Sequence, residues 1–302
     1  MSSKPERISR GATPALRVSF EFFPPKTAEM ESALWESIQR LAPLGPHFVS
    51  VTYGAGGTTR ERTHATVARL VRETTLKPAA HLTCVGATRA EINEVARAYH
   101  GAGVRHVVAL RGDPPTGIDQ PYIAHPQGYQ STPELITGLK AIGDFEVSVS
   151  AYPEKHPQSP TLLHDIDILK RKVDAGADRA ITQFFFDNSV FYRYRDLAAA
   201  AGLTIPIVPG VVPVQNFKQT AGFARRTGAS VPAWLAERFE GLENDPATRR
   251  LVAAAVCAEQ VIDLIDHGVT DLHFYTMNKA DLVFAICHLI GLRAQGAIEQ
   301  AA

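Results

Sequence analysis

The stretch VSFEFFPPK, Val18 to Lys26, sets a carboxylate, Glu21, inside a run of Phe and Val that ends at two prolines. Strand side chains alternate between faces, so Val18, Phe20 and Phe22 share one face and Ser19, Glu21 and Phe23 the other. A lone carboxylate taken out of water costs several kcal/mol, roughly, unless it is protonated or partnered. Burial favours the neutral acid, and a carboxylic acid still protonated near neutral pH can deliver a proton as a general acid. Glu21 is therefore the first candidate for chemistry. Further polar groups follow other apolar runs: LRGDPP (Leu110 to Pro115), YPEKHP (Tyr152 to Pro157), Gln183 to Asp187, and HFYTMNK (His273 to Lys279).

These groups need elements to hold them. Eight short runs rich in Val, Ile, Phe and Tyr recur: RVSFEFF, FVSVTYG, AAHLTC, HVVALRG, EVSVSAY, RAITQFFF, IPIVPGVVPV and DLHFYTM. Segments of helical periodicity lie between them, such as 28–41 and 166–175. Eight strand–helix alternations in one chain predict an α/β fold, a (β/α)8 barrel with a longer stretch of about three helices, 215–270, between strands seven and eight. An open doubly wound sheet is the rival, but strand one runs into FFPPK and no GxGxxG occurs. In the barrel the wholly apolar faces meet the helices. The polar set then points inward: Ser19, Glu21, Ser50, Thr52, His81, Thr83, Ser148, Ser150, Tyr152 and Gln183. Barrel active sites form where the strands end, which places Arg111 to Asp113 and Tyr152 to His156 on one rim around Glu21.

Composition sets bounds. The 302 residues are 45 % hydrophobic, with 31 Lys and Arg against 31 Asp and Glu. That supports a large core and gives no basic surface for nucleic acid. Cys84, Cys257 and Cys287 form no paired pattern, as in a reducing compartment. His81 and Cys84 lack a second pair at ligand spacing, so no metal is expected. No apolar h-region opens the chain and no apolar run is long enough for a membrane span, so a cytoplasmic location is expected. Residues 1–16 and 294–302 read as flexible tails around one catalytic domain, 17–293. KRKVD, Lys170 to Asp174, reads first as a solvated helix face, with phosphate contact the alternative.

Over 18–292 the motifs FEFFPPK, FVSVTYGAGG, HLTC, VALRGD, AYPEKHP, LKRKVDAGADRAITQFFFD, PGVVPVQNFKQ, PAW and HFYTMNKA resemble, in order, those of the bacterial-type methylenetetrahydrofolate reductases. The resemblance implies an FAD-containing barrel that oxidises NADH or NADPH and reduces 5,10-methylenetetrahydrofolate to 5-methyltetrahydrofolate by a ping-pong relay, feeding methionine synthesis. NADH is the preferred donor and a homo-oligomer the family's habit. It assigns Glu21 as the acid that helps open the folate ring to an iminium. Asp113 becomes the carboxylate near flavin and folate. Thr52, Tyr53, Ala55, His81, Arg111, Gly112, Tyr129, Tyr152, His156, Asp165, Arg171 and Lys172 fall on nicotinamide- or flavin-contacting positions. Gln183, Gln219, Phe223 and Lys279 fall on substrate positions. The resemblance turns Arg171 and Lys172 from a plain helix face to phosphate ligands. Lys279 stands where the family has Arg, which offers a point charge in place of a planar fork. Ile168 replaces an often polar adenine neighbour. Rival readings are a flavin-free methyl-transferring barrel and a non-catalytic binding barrel.

Overall fold

The computed structural model describes residues 16–53, 60–114, 117 and 120–294. The expected tail residues 1–15 and 295–302, and Ala55, lie outside the described residues. One sheet contains β1 (Arg17–Phe22), β2 (Phe48–Val51), β3 (Pro78–Thr83), β4 (His106–Leu110), β5 (Glu146–Ala151), β6 (Arg179–Thr182), β7 (Ile207–Val208), β8 (Gly210–Val211) and β9 (Asp271–Tyr275). All pairings are parallel, in the order β7-β6-β5-β4-β3-β2-β1-β9-β8. The two ends of that order are separated in sequence by Pro209 alone. β7 and β8 are thus the expected seventh strand, cut where proline has no N–H for the ladder. The Pro209 carbonyl still accepts from His273 N at 3.0 Å. Gly210 N donates to Thr182 Oγ1 at 2.9 Å, and a Cβ on Gly210 would lie 2.2 Å from the Thr182 carbonyl. Only glycine lets β6 and β8 approach this closely.

Helices α1 (Ala28–Leu41), α2 (Arg60–Glu73), α3 (Arg89–Gly101), α4 (Thr132–Ile142), α5 (Leu162–Asp174) and α6 (Asn188–Ala200) cover the barrel's outside in turn. α7 (Phe217–Thr227), α8 (Ala233–Phe239) and α9 (Pro246–Asp266) fill the long stretch before β9, and α10 (Ala280–Leu289) closes the layer. Their starts follow capping chemistry. Thr88 and Glu91 form a reciprocal box, and Thr27, Ser131, Asp187, Asn216 and Asp245 each accept from the first turn. α5 begins four residues before the periodicity expects, because Thr161 caps it through His164 N. The extra turn brings Asp165 into the helix. The outward strand faces, with Val18, Phe20, Val49, Leu82, Val107 and Val149, are buried against the helices. Among the described residues no helix is long and apolar enough to cross a membrane.

Candidate active site

Register fixes what faces the barrel interior. Glu21 is paired with Ser50 on one side and Tyr275 on the other; Ser19 with Phe48 and His273. The expected inward set is therefore joined by two β9 residues, His273 and Tyr275, that the alternation reading left on the rim. Glu21 is 8 % exposed. Its Oε2 lies 3.4 Å from His81 Nε2 and 3.5 Å from His273 Nε2. Burial pushes the His81 imidazole below its usual range, which favours its neutral form.

The end of β9 holds β1 in place. Thr276 Oγ1 donates to the Glu21 carbonyl at 2.6 Å. Asn278 accepts from Phe23 N at 2.8 Å and donates to Phe23 O at 2.9 Å. Met277 and Asn278 both carry a φ of 54°, so this clamp stores backbone strain at the rim.

Glu21, His81, Gln183 and Tyr275 line a cavity of about 150 Å³. Leu110, Ser150 and Tyr152 are shared between its wall and that of a cavity of about 700 Å³. The larger space is lined by Arg111, Gly112, Asp113, Tyr122, His156, Asp165, Ile168 and Lys172, among others. Its size is that of a typical cofactor site. Burial moves three of its ionisable groups, Asp113, His156 and Lys172, toward neutrality. The Asp113 carboxyl is raised by burial against the opposing pull of Arg111. His156 is lowered to about 4 by burial and then by Arg111. The Lys172 ammonium is lowered to about 8 by burial and donates to the Ser150 carbonyl at 2.8 Å. Thr83 Oγ1 lines the cavity, buried and with no hydrogen-bond partner among the described residues. Two cations, a spare hydroxyl and the apolar wall of Ile168 fit a dinucleotide with phosphates and a flat ring.

Several expected residues stand elsewhere. Arg171, expected beside Lys172 at the phosphates, is on the outer face of α5. It pairs with Asp167 at 2.5 Å and its side chain is 63 % exposed. Successive helix residues point about 100° apart, so both cannot face one cavity. Tyr129 is buried in the apolar layer, donating to Asn93 Oδ1 at 2.7 Å under the Arg89 guanidinium, and does not line the cavity. Tyr122 takes that place: its ring lies 4.6 Å from Arg111 and its hydroxyl 3.6 Å from Cys84 Sγ. Tyr53 accepts from Arg60 Nε at 2.8 Å, and the Thr52 carbonyl accepts from Thr63. Neither lines either cavity. Asp165 is on the wall, but its oxygens already accept from His156 N, at 2.7 Å, and Ser159 Oγ. It shapes the 156–159 turn. Gln219, Phe223 and Lys279 line a third space of about 880 Å³ with Phe23 and Arg226, apart from Gln183. Phe184 links the two, 5.4 Å from the Phe223 ring and 6.3 Å from that of Tyr275.

Comparison with known proteins agrees with the motifs. The family model described as methylenetetrahydrofolate reductase matches residues 7–291. The chain is 50 % identical over 278 residues to the 5,10-methylenetetrahydrofolate reductase of Escherichia coli K12, covering 92 % of each chain. It is 33 % identical to methylenetetrahydrofolate reductase (NADH) 1 of Arabidopsis thaliana, covering 91 % of this chain and 48 % of that one. Among solved structures, a Clostridium thermocellum protein that binds two copies of 5-methyl-5,6,7,8-tetrahydrofolic acid superposes with a TM-score of 0.61 at 14 % identity, covering 92 % and 95 % of the two chains. That likeness speaks to the fold.

Proposed function

This chain belongs to the methylenetetrahydrofolate reductase family, and on that premise we propose that it is a flavoprotein, oxidising NADH and reducing 5,10-methylenetetrahydrofolate to 5-methyltetrahydrofolate in alternating half-reactions. The observation that carries the reading is a buried acid, Glu21, at the head of a small cavity that shares Leu110, Ser150 and Tyr152 with a larger one. FAD, when bound, would supply the hydride store between the two substrates.

The residues then have separate tasks. Lys172 and Arg111 would hold the phosphates, with Thr83 Oγ1 as a free hydrogen-bonding group and Ile168 against the adenine. Glu21 delivers a proton to the folate nitrogen as the five-membered ring opens, and the iminium carbon takes the hydride. Asp113, on the wall of the larger cavity, would favour that cationic iminium by its charge. Gln183, beside Glu21, would hydrogen-bond folate or nicotinamide in turn. Phe223 would pack against the ligand, and Lys279 and Arg226 would face an anionic tail. The tail then meets a point charge at Lys279 where the family has a planar fork. The name of the Arabidopsis relative supports NADH over NADPH.

The test is a visible absorption spectrum of freshly purified protein, repeated anaerobically with NADH and then with methylenetetrahydrofolate. A yellow protein that bleaches and regains its colour supports both half-reactions. A colourless protein that takes up no FAD removes the cofactor and favours a flavin-free folate barrel.

A further inference from the structure

His273 lies on β9 opposite Ser19 on β1, with its side chain fully buried. Its Nδ1 is 2.8 Å from Ser19 Oγ, and that hydroxyl donates to the Leu272 carbonyl at 3.2 Å. A hydroxyl has one proton. Given to Nδ1, that proton would leave the ring's own proton on Nε2; given to Leu272, it leaves the Ser19 oxygen to accept from Nδ1–H. Nε2 is then a bare acceptor. It has no hydrogen-bond partner among the described residues and faces Glu21 Oε2 at 3.5 Å. The ring cannot turn away. It stacks on Phe48, centroids 5.7 Å apart, and meets Tyr275 edge-on at 5.3 Å.

We infer that Ser19 and His273 are a positioning pair for the acid: Ser19 sets the tautomer of His273, and the bare Nε2 turns its lone pair toward the Glu21 carboxyl and aims that group between turnovers. The inference rests on Glu21 being the acid of the folate half-reaction. When Glu21 gives its proton to the folate nitrogen, the contact to Nε2 is lost and the new carboxylate faces a lone pair. The other titratable groups around Glu21 are His81 on β3, Tyr152 after β5 and Tyr275 on β9, with Asp113 beyond Tyr152. Burial favours the neutral form of the imidazole and of both phenols, so none of the three brings a competing charge.

Two measurements test this. In the holoenzyme, histidine nitrogen NMR, with His273 assigned by its loss in His273→Asn, is expected to give the Nδ1–H pattern for His273. Ser19→Ala, close to isosteric, is expected to release it toward the Nε2–H form. In the second, asparagine retains the Ser19 contact but loses the atom facing Glu21. His273→Asn is therefore expected to slow reoxidation of the reduced flavoprotein by methylenetetrahydrofolate by about 10-fold, with reduction by NADH little altered. His273→Gln, which restores a polar atom near the Nε2 position, is expected to recover part of the rate. An Nε2–H pattern in the wild-type protein, or His273→Asn slowing both half-reactions equally or neither, overturns the pair. If Glu21→Gln also leaves folate reduction intact, the acid assignment itself falls. If Glu21→Gln abolishes folate reduction while Ser19→Ala and His273→Asn change neither tautomer nor rate, the pair alone falls.

Discussion

At the N-terminal end of the barrel, Arg17 lies 2.7 Å from Asp271 and Arg179 lies 2.6 Å from Glu146. His106 Nε2 is 2.8 Å from Ser148 Oγ, and the Arg179 guanidinium sits 5.2 Å from the Phe48 ring. At the C-terminal end, Glu21 has two imidazoles beyond ordinary hydrogen-bond distance, Lys172 donates to a carbonyl, and Thr83 Oγ1 has no partner among the described residues. Both ends bury ionisable groups, Arg179 and His106 at one and Glu21 and Lys172 at the other, while Arg17 is half exposed. At one end the charges meet opposite charges; at the other they face cavities. The first arrangement answers the cost of desolvation within the chain. The second leaves that cost for ligands to answer, as expected where preorganised groups await a substrate. Phe48, stacked on His273 and edge-on to His106 at 4.5 Å, is the floor between them.

Substitutions can break this contrast. The largest effect on stability is expected at the closed end. Arg179→Ala removes a buried cation from Glu146 and Phe48 and should cost about 2–3 kcal/mol in urea unfolding, with turnover within about twofold. Arg179→Met, which keeps most of the volume, should recover at least half of the loss. A tenfold fall in turnover would mean that the two ends are not separable.

Acid should act next. Burial lowers His81, His106 and His156, the last to about 4. Their neutral forms are favoured in the folded state, so the unfolded chain takes up protons first as pH falls below about 6.5. The stability they contribute is complete above that pH and declines toward about 4. Unfolding free energy in urea should therefore fall between pH 7 and 5 as His81 and His106 resist protonation in the folded chain. Unfolding free energies that stay flat over this range would contradict their neutrality.

At the open end, Lys172→Met should weaken FAD binding about tenfold, read by flavin fluorescence, while the apoprotein's Tm holds or rises because a desolvated cation is gone. With Lys172 lowered to about 8, the same affinity should fall as pH passes above that value. A Tm that drops instead would place Lys172 among the structural pairs. The smallest effect is expected at Arg171, paired with Asp167 in solvent. Arg171→Ala should change FAD affinity by less than about twofold.

Sequence pattern revealed the barrel because strand runs and helical periods alternate locally, and revealed Glu21 because a carboxylate at an inward strand position has no apolar excuse. Pro209 hid a break in strand seven, since a proline inside an apolar run does not show whether the ladder resumes beyond it. Arg171 and Lys172 are adjacent in sequence, and only the rotation of α5 separates cavity from solvent. Tyr122 over Arg111, and Tyr129 beneath Arg89, depend on how the irregular segment after β4 folds, which has no period to read. His273 carried the right alternation on its strand. Its role needed a fact no single strand holds: that β9 pairs with β1 and sets it beside Ser19 and Glu21.

The most direct test of the open end as a reaction site is rapid mixing of the reduced Glu21→Gln protein with methylenetetrahydrofolate, alongside its thermal unfolding. The account predicts reoxidation slowed by about 10²–10⁴-fold, with flavin binding, reduction by NADH and Tm preserved. Reoxidation within about twofold of the wild-type rate would contradict it, and Glu21 would be one more buried group held for the fold.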